Sequence, residues 1–133
     1  MMSKLLRGYK RPVCLAIGNW EVVPDSRGLY LAQRLQELGF KVVEAGLYPE
    51  NYLEKVVGLD PDLIVLTDAI RSDRDFILTT SPSRDCSITT HSLPISTLID
   101  YLRLRTHAPV LFFGVNRHLR DGDIDEILAR VTG

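Results

Sequence analysis

The stretch DLIVLTDA, Asp62 to Ala69, carries four consecutive large aliphatic residues with no polar alternation. A strand patterned this way must be covered on both faces, which is the position of a central parallel strand between two layers of helices. Two further stretches read alike. VCLAI, Val13 to Ile17, is a short buried strand ended by Gly18-Asn19, and PVLFF, Pro109 to Phe113, is another ended by Gly114. Phe40 to Val43 begins a fourth strand, and FILT, Phe76 to Thr79, reads as a weaker edge strand. Between them lie helical patterns. Ser26 to Leu38 has Leu29, Leu31, Ala32, Leu35 and Leu38 at helical spacing, with Asp25 or Ser26 to cap it and Gly39 to end it. Tyr48 to Val57 is a short helix with Pro49 in its first turn, Pro94 opens a helix through Leu104, and Asp123 to Val131 is the last. The order β-α-β-α-β-β-α-β-α predicts an α/β domain, a three-layer α/β/α sandwich on a mostly parallel sheet of about five strands.

The 133 residues predict a single domain over 1–133, long enough to bury an ordinary core. Sixteen Lys and Arg stand against seventeen Asp and Glu, for a formal net charge of −1. No basic field is present to attract nucleic acid. The opening MMSKLLRGYKRP, residues 1–12, is basic and reads as a flexible arm. Its apolar run is too short for a signal peptide or a membrane span, so no membrane association is expected. Cys14 sits in an apolar run and Cys86 in a polar one, so a disulfide is not expected. This usage fits a reducing, cytoplasmic setting. No segment reads as a dedicated interface helix, and a monomer is the default.

Three polar residues stand where apolar segments end. Asp25 follows CLAIGN after a short loop, Asp68 closes DLIVLTD, and His91 lies in SITTHSLP. Open α/β sheets bind ligands beyond the carboxyl ends of their strands. If the three segments are neighbours, two carboxylates and an imidazole meet there and suit a borderline divalent metal with open positions. Each has a plainer alternative: a helix N-cap for Asp25, a turn-forming residue for Asp68, a helix-entry residue for His91. Other chemistries lack their patterns. Gly18 and Gly28 are too far apart for a dinucleotide fingerprint, and no phosphate loop is present. Ser26, Thr90 and Ser92 lack a nucleophile elbow, and Cys86 near His91 is a lone loop thiol. His107 leads into a strand from the opposite end, whereas His118 follows the last strand at the site's end.

These segments together resemble the maturation endopeptidases of nickel–iron hydrogenases. LAIGN matches the family's first strand and turn, and VPDSRG, Val23 to Gly28, matches its acidic, glycine-containing segment, with Asp25 on the metal-contacting residue. VVEAG, ending in Gly46, matches the second strand and its turn. LTDA matches the strand ending in an Asp-Ala pair at Asp68-Ala69. TTHSLPISTLIDYL matches the histidine segment with His91 as the ligand, and FFGVN matches the final strand. The resemblance covers roughly Val13 to Asn116, in order. The chain departs from the pattern at Pro24, where the family has a first acidic residue, at Ser26, where it has glycine, and in a shorter tail.

The resemblance implies an aspartyl-type, metal-dependent endopeptidase that removes the C-terminal extension of a hydrogenase large-subunit precursor after nickel insertion. Nickel would be presented by the substrate rather than held tightly by the free enzyme. Asp25, Asp68 and His91 would contact the metal and serve as the catalytic set, with Asp25 or Asp68 as general base. Two other readings stay open. Pro24 and the short tail fit a non-catalytic adaptor or chaperone that binds a hydrogenase subunit's metal site or tail. A self-contained metal hydrolase would hold its metal in the free protein.

Overall fold

The computed structural model describes residues 6–82 and 93–133. Among these residues, nine regular elements follow in the predicted order. They are β1 (Pro12–Ile17), α1 (Arg27–Glu37), β2 (Lys41–Gly46), α2 (Leu53–Gly58), β3 (Leu63–Ile70), β4 (Phe76–Thr79), α3 (Ile95–Arg105), β5 (Val110–Asn116) and α4 (Asp121–Thr132). Short 3-10 turns, Val23–Ser26 and Pro49–Tyr52, precede α1 and α2.

The strands form one sheet in the order β2-β1-β3-β5-β4. The first four are parallel, and β4 pairs antiparallel with β5 at the edge. All eight residues of β3 are buried, as a strand covered on both faces requires. Alternation along the strands divides the core in two. Cys14, Ala16, Val65, Leu111 and Phe113 face Leu31, Leu35, Ile124 and Ile127 of α1 and α4. Leu15, Ile64, Leu66 and Phe112 face Leu53, Val56, Leu98 and Leu102 of α2 and α3. This is the expected three-layer α/β sandwich with a mostly parallel five-stranded sheet. Of the basic segment 1–12, Leu6 is buried in the first of these cores, and the backbone N–H groups of Lys10 and Arg11 both donate to the Asp62 carboxylate at 2.7 Å.

Several boundaries differ from expectation. β3 continues through Ile70 and β5 through Asn116, so Asp68 and Gly114 lie inside strands rather than ending them. The two strands stay paired over this extension, with Asp68 opposite Gly114, Ala69 opposite Val115 and Ile70 opposite Asn116. At the start of α1, neither Asp25 nor Ser26 caps with its side chain. The Ser26 hydroxyl instead donates to the Val23 carbonyl at 2.7 Å, within the 3-10 turn. The expected stop at Gly39 holds. Its φ is +103°, its N–H donates to the Gln36 carbonyl at 3.0 Å, and Phe40 N–H reaches the Leu35 carbonyl at 3.1 Å. These two bonds are a Schellman closure.

Candidate active site

Strand order decides where a site can form. From β1 the chain moves outward to β2 and then crosses back to β3 on the other side, so the carboxyl ends of β1 and β3 flank a topological switch point. Asp68 lies on β3 at this end and is fully buried. Its Oδ1 accepts the N–H of Ala69 at 2.8 Å. By alternation with Leu66 and Ile70, its side chain lies on the face covered by α3. Its partner across the ladder is Gly114, where a Cβ would fall 2.5 Å from Ile70 Cγ2 and 2.8 Å from the Phe112 ring. Glycine is thus required at 114 by packing, and it leaves no side chain beside the carboxylate.

Asp25 lies in the 3-10 turn that follows β1 and packs against β3. Its N–H donates to the Val22 carbonyl at 2.9 Å, and its carbonyl accepts the N–H of Asn19 at 3.1 Å. The turn is held over the end of β1 by Gly18, whose φ is +152° and where a Cβ would fall 2.3 Å from the Asp25 carbonyl oxygen. Gly18 N–H also donates to the Gly46 carbonyl at 3.0 Å, which joins the ends of β1 and β2. Asp25 is half-buried, and among the described residues its carboxylate has no hydrogen-bond partner. It is therefore not spent on capping α1.

The two carboxylates come to the same end of adjacent strands through one close contact. Gly28, in the first turn of α1, lies against the backbone of Asp68. A Cβ there would stand 2.5 Å from Asp68 Cα and 2.7 Å from its nitrogen. This approach seats the turn bearing Asp25 on the strand bearing Asp68. His91 lies outside the described residues. Among the described residues, no group of three His, Cys, Asp or Glu side chains is placed to hold a metal ion. The helix that follows His91, α3, covers the face on which Asp68 lies. His118 is exposed past β5 at this same end, and His107 is exposed at the other.

Two further residues support this end of the sheet, and only Arg27 carries no sequence signal. Arg27 is buried beside Asp25. Its Nη1 donates to Asp121 Oδ1 at 2.7 Å, its Nη2 donates to Ser26 Oγ at 3.1 Å, and its guanidinium lies 5.7 Å from the Tyr30 ring centre. It pins the Asp25 turn to the start of α4. Asn116, whose polar character at the end of β5 was legible, closes the site's other flank. Its Nδ2 donates to the carbonyls of Ser72 and Arg74 at 2.7 and 2.9 Å, and its Oδ1 accepts the N–H of His118 at 3.1 Å. Buried amides are stable only when satisfied in this way.

No family model matches the chain. The curated Methanocaldococcus jannaschii protein "Putative hydrogenase maturation protease MJ0631" is 23% identical over 136 residues, which cover 91% of this chain and 80% of that protein. Among solved structures, the NiFe hydrogenase maturation protease HycI from Thermococcus kodakarensis KOD1 superposes with a TM-score of 0.77 at 24% identity, covering 98% of this chain and 97% of that one. The endopeptidase HycI from Escherichia coli gives 0.71 at 21% identity, over 93% and 90% of the two chains. The hydrogenase maturating endopeptidase HybD from E. coli gives 0.62 at 14% identity, over 92% and 88%. The chain therefore carries the fold of these solved NiFe hydrogenase maturation proteases over nearly its whole length, and its sequence is similar to that of the curated M. jannaschii protein.

Proposed function

We propose that this protein is a metal-directed endopeptidase that removes the C-terminal extension of a nickel–iron hydrogenase large-subunit precursor once nickel is in place. The observation that carries this reading is the placement of Asp68. This carboxylate is fully buried in a central strand beside the switch point, where open α/β sheets bind their ligands. Asp25 on the adjoining turn supplies a second carboxylate, and His91, three residues before Pro94, supplies the imidazole. This donor set suits a borderline divalent ion such as nickel, here a part of the substrate. Docking on that metal centre sets the scissile peptide beside the carboxylates. Asp25, half-buried and not engaged in capping, is then placed to take the proton of an attacking water.

The test is the mass of a nickel-loaded large-subunit precursor before and after incubation with the protein. The expected outcome is loss of the extension with the wild type. Asp25→Ala, Asp68→Ala and His91→Ala should each slow cleavage at least about a hundredfold, the scale on which positioned acid–base and electrostatic groups act. Circular dichroism of each variant separates loss of chemistry from loss of fold. Intact cleavage in the Asp68 and His91 variants would exclude this centre. Stable binding of the precursor with no mass change would favour the adaptor role, which Pro24 beside Asp25 motivates.

A further inference from the structure

The mouth of the site is polarised. On its β2 side stand Trp20, Glu21 and Glu44, with Trp20 Nε1 donating to Glu44 Oε1 at 2.7 Å. On its β5 side a groove of about 720 Å³ runs between the Asp25 turn and the loop that joins β5 to α4. Val23, two residues before Asp25, is 71% exposed on one wall. Arg117, His118 and Arg120 line the other, and the Arg27–Asp121 pair lies between.

Three guanidiniums line this groove with one lining carboxylate, Asp121, which Arg27 neutralises at 2.7 Å, and the nearby Asp123 carboxylate is taken up by the Arg120 backbone N–H at 3.0 Å. Arg117 and Arg120 form no ion pair with any described residue. The Arg117 Nε is buried, and among the described residues no acceptor reaches it. The positive charge of this wall is thus left over after internal pairing, next to an exposed aliphatic side chain. Arginine is enriched at recognition surfaces, and positive charge left over on one wall favours an acidic partner by electrostatic complementarity.

We propose that this groove is the docking track for an acidic, partly apolar segment of the polypeptide on which the centre acts. The proposal rests on the peptidase reading and adds a direction to it. Carboxylates of the bound segment pair with Arg117 and Arg120, an aliphatic side chain covers Val23, and Glu21 and Glu44 repel the same segment from the opposite side. The chain then enters over the β5 side and reaches the carboxylates past the Asp25 turn.

The test is fluorescence anisotropy of the full-length protein with a labelled short peptide of glutamates and leucines, and with its glutamine-for-glutamate counterpart. The acidic peptide should bind more tightly, and its affinity should fall as salt rises. The double variant Arg117→Glu/Arg120→Glu should weaken it at least tenfold, and Val23→Asp should also weaken it. Lys41→Glu, exposed at the amino end of the edge strand β2, should leave it unchanged. Equal binding of the two peptides, or no effect of the double variant, would overturn the proposal. So would concentration-dependent self-association that the double variant abolishes, since the groove would then hold a second copy of the chain. The two readings fail separately. Binding without cleavage would remove the peptidase and keep the groove. Precursor cleavage at unchanged kcat/KM in the double variant would keep the peptidase and remove the groove.

Discussion

A single missing side chain joins the two candidate carboxylates. Gly28 permits α1 to touch the β3 backbone at Asp68, and a methyl group there has no flexible neighbour to displace, because all three nearest atoms are backbone. Gly28→Ala must therefore lift the first turn of α1, and Asp25 with it, away from β3. The expected cost is about 1–3 kcal/mol, the usual penalty for overpacking, together with a loss of precursor processing larger than that destabilisation explains. A urea midpoint and a processing assay on the same variant check both parts, and full activity at reduced stability would show that the contact does not position the site. In the sequence, Asp25, Asp68 and the Gly18-Asn19 turn stand out as polar breaks after apolar runs, and Asp68 proves to lie inside its strand. The role of Gly28 was visible only as a motif glycine. Its physical reason is a contact across about forty residues of sequence, which no local pattern encodes. Arg27 was silent for the same cause, since its partner Asp121 lies at the far end of the chain.

The elements were legible in type and order because each carries its own periodicity, while their ends depended on partners. β3 and β5 looked shorter than they are, because Thr67-Asp68 and Gly114 read locally as stops. The ladder between the two strands holds both in register to Ile70 and Asn116. α2 and α3 show how a pair of short helices is fastened. Glu54 Oε1 and Oε2 accept from Arg105 Nη2 and Nε at 2.7 and 3.0 Å, and Tyr101 donates its hydroxyl to the same carboxylate. The Arg105 hydrogen bonds, then that from Tyr101, hold the Glu54 carboxyl down to about 2, from an ordinary value of 4.5. A carboxyl depressed by folding contributes stability that is complete above its unfolded value and is lost as pH falls through its folded value. Glu54→Gln should therefore lower the urea midpoint at pH 7. Its difference from wild type should shrink below about pH 4.5 and vanish near pH 2. Because both side chains face solvent, the effect is small and should fade in high salt. A difference that stays constant from pH 7 to pH 2 would mean that Glu54 acts through packing and not through its charge.

At the scale of the whole molecule, the sheet closes over one thiol that reports on everything around it. Cys14 is fully buried on β1, a strand flanked on both sides by β2 and β3 and covered by α1. Burial pushes its thiol up to about 12, against a small opposing pull from Thr67, whose Oγ1 lies 3.8 Å from the sulfur. A thiol that is both inaccessible and protonated reacts only after the structure opens. The opening it needs is large, because exposing the centre of β1 separates α1 from the sheet and breaks two strand ladders. In a Cys86→Ser background, an aromatic disulfide reagent should therefore label Cys14 at least about a thousandfold more slowly than an unfolded control. That factor follows from a stability of at least about 5 kcal/mol for a domain of this kind. The logarithm of the labelling rate should rise with urea along the slope of the global unfolding curve. A shallower slope would identify a local opening around β1, and with it a route by which the Gly18-Asn19 turn and Asp25 move without unfolding the rest. Such motion would make the Asp25 turn the mobile half of the proposed centre and Asp68, held in β3 between β1 and β5, its fixed half.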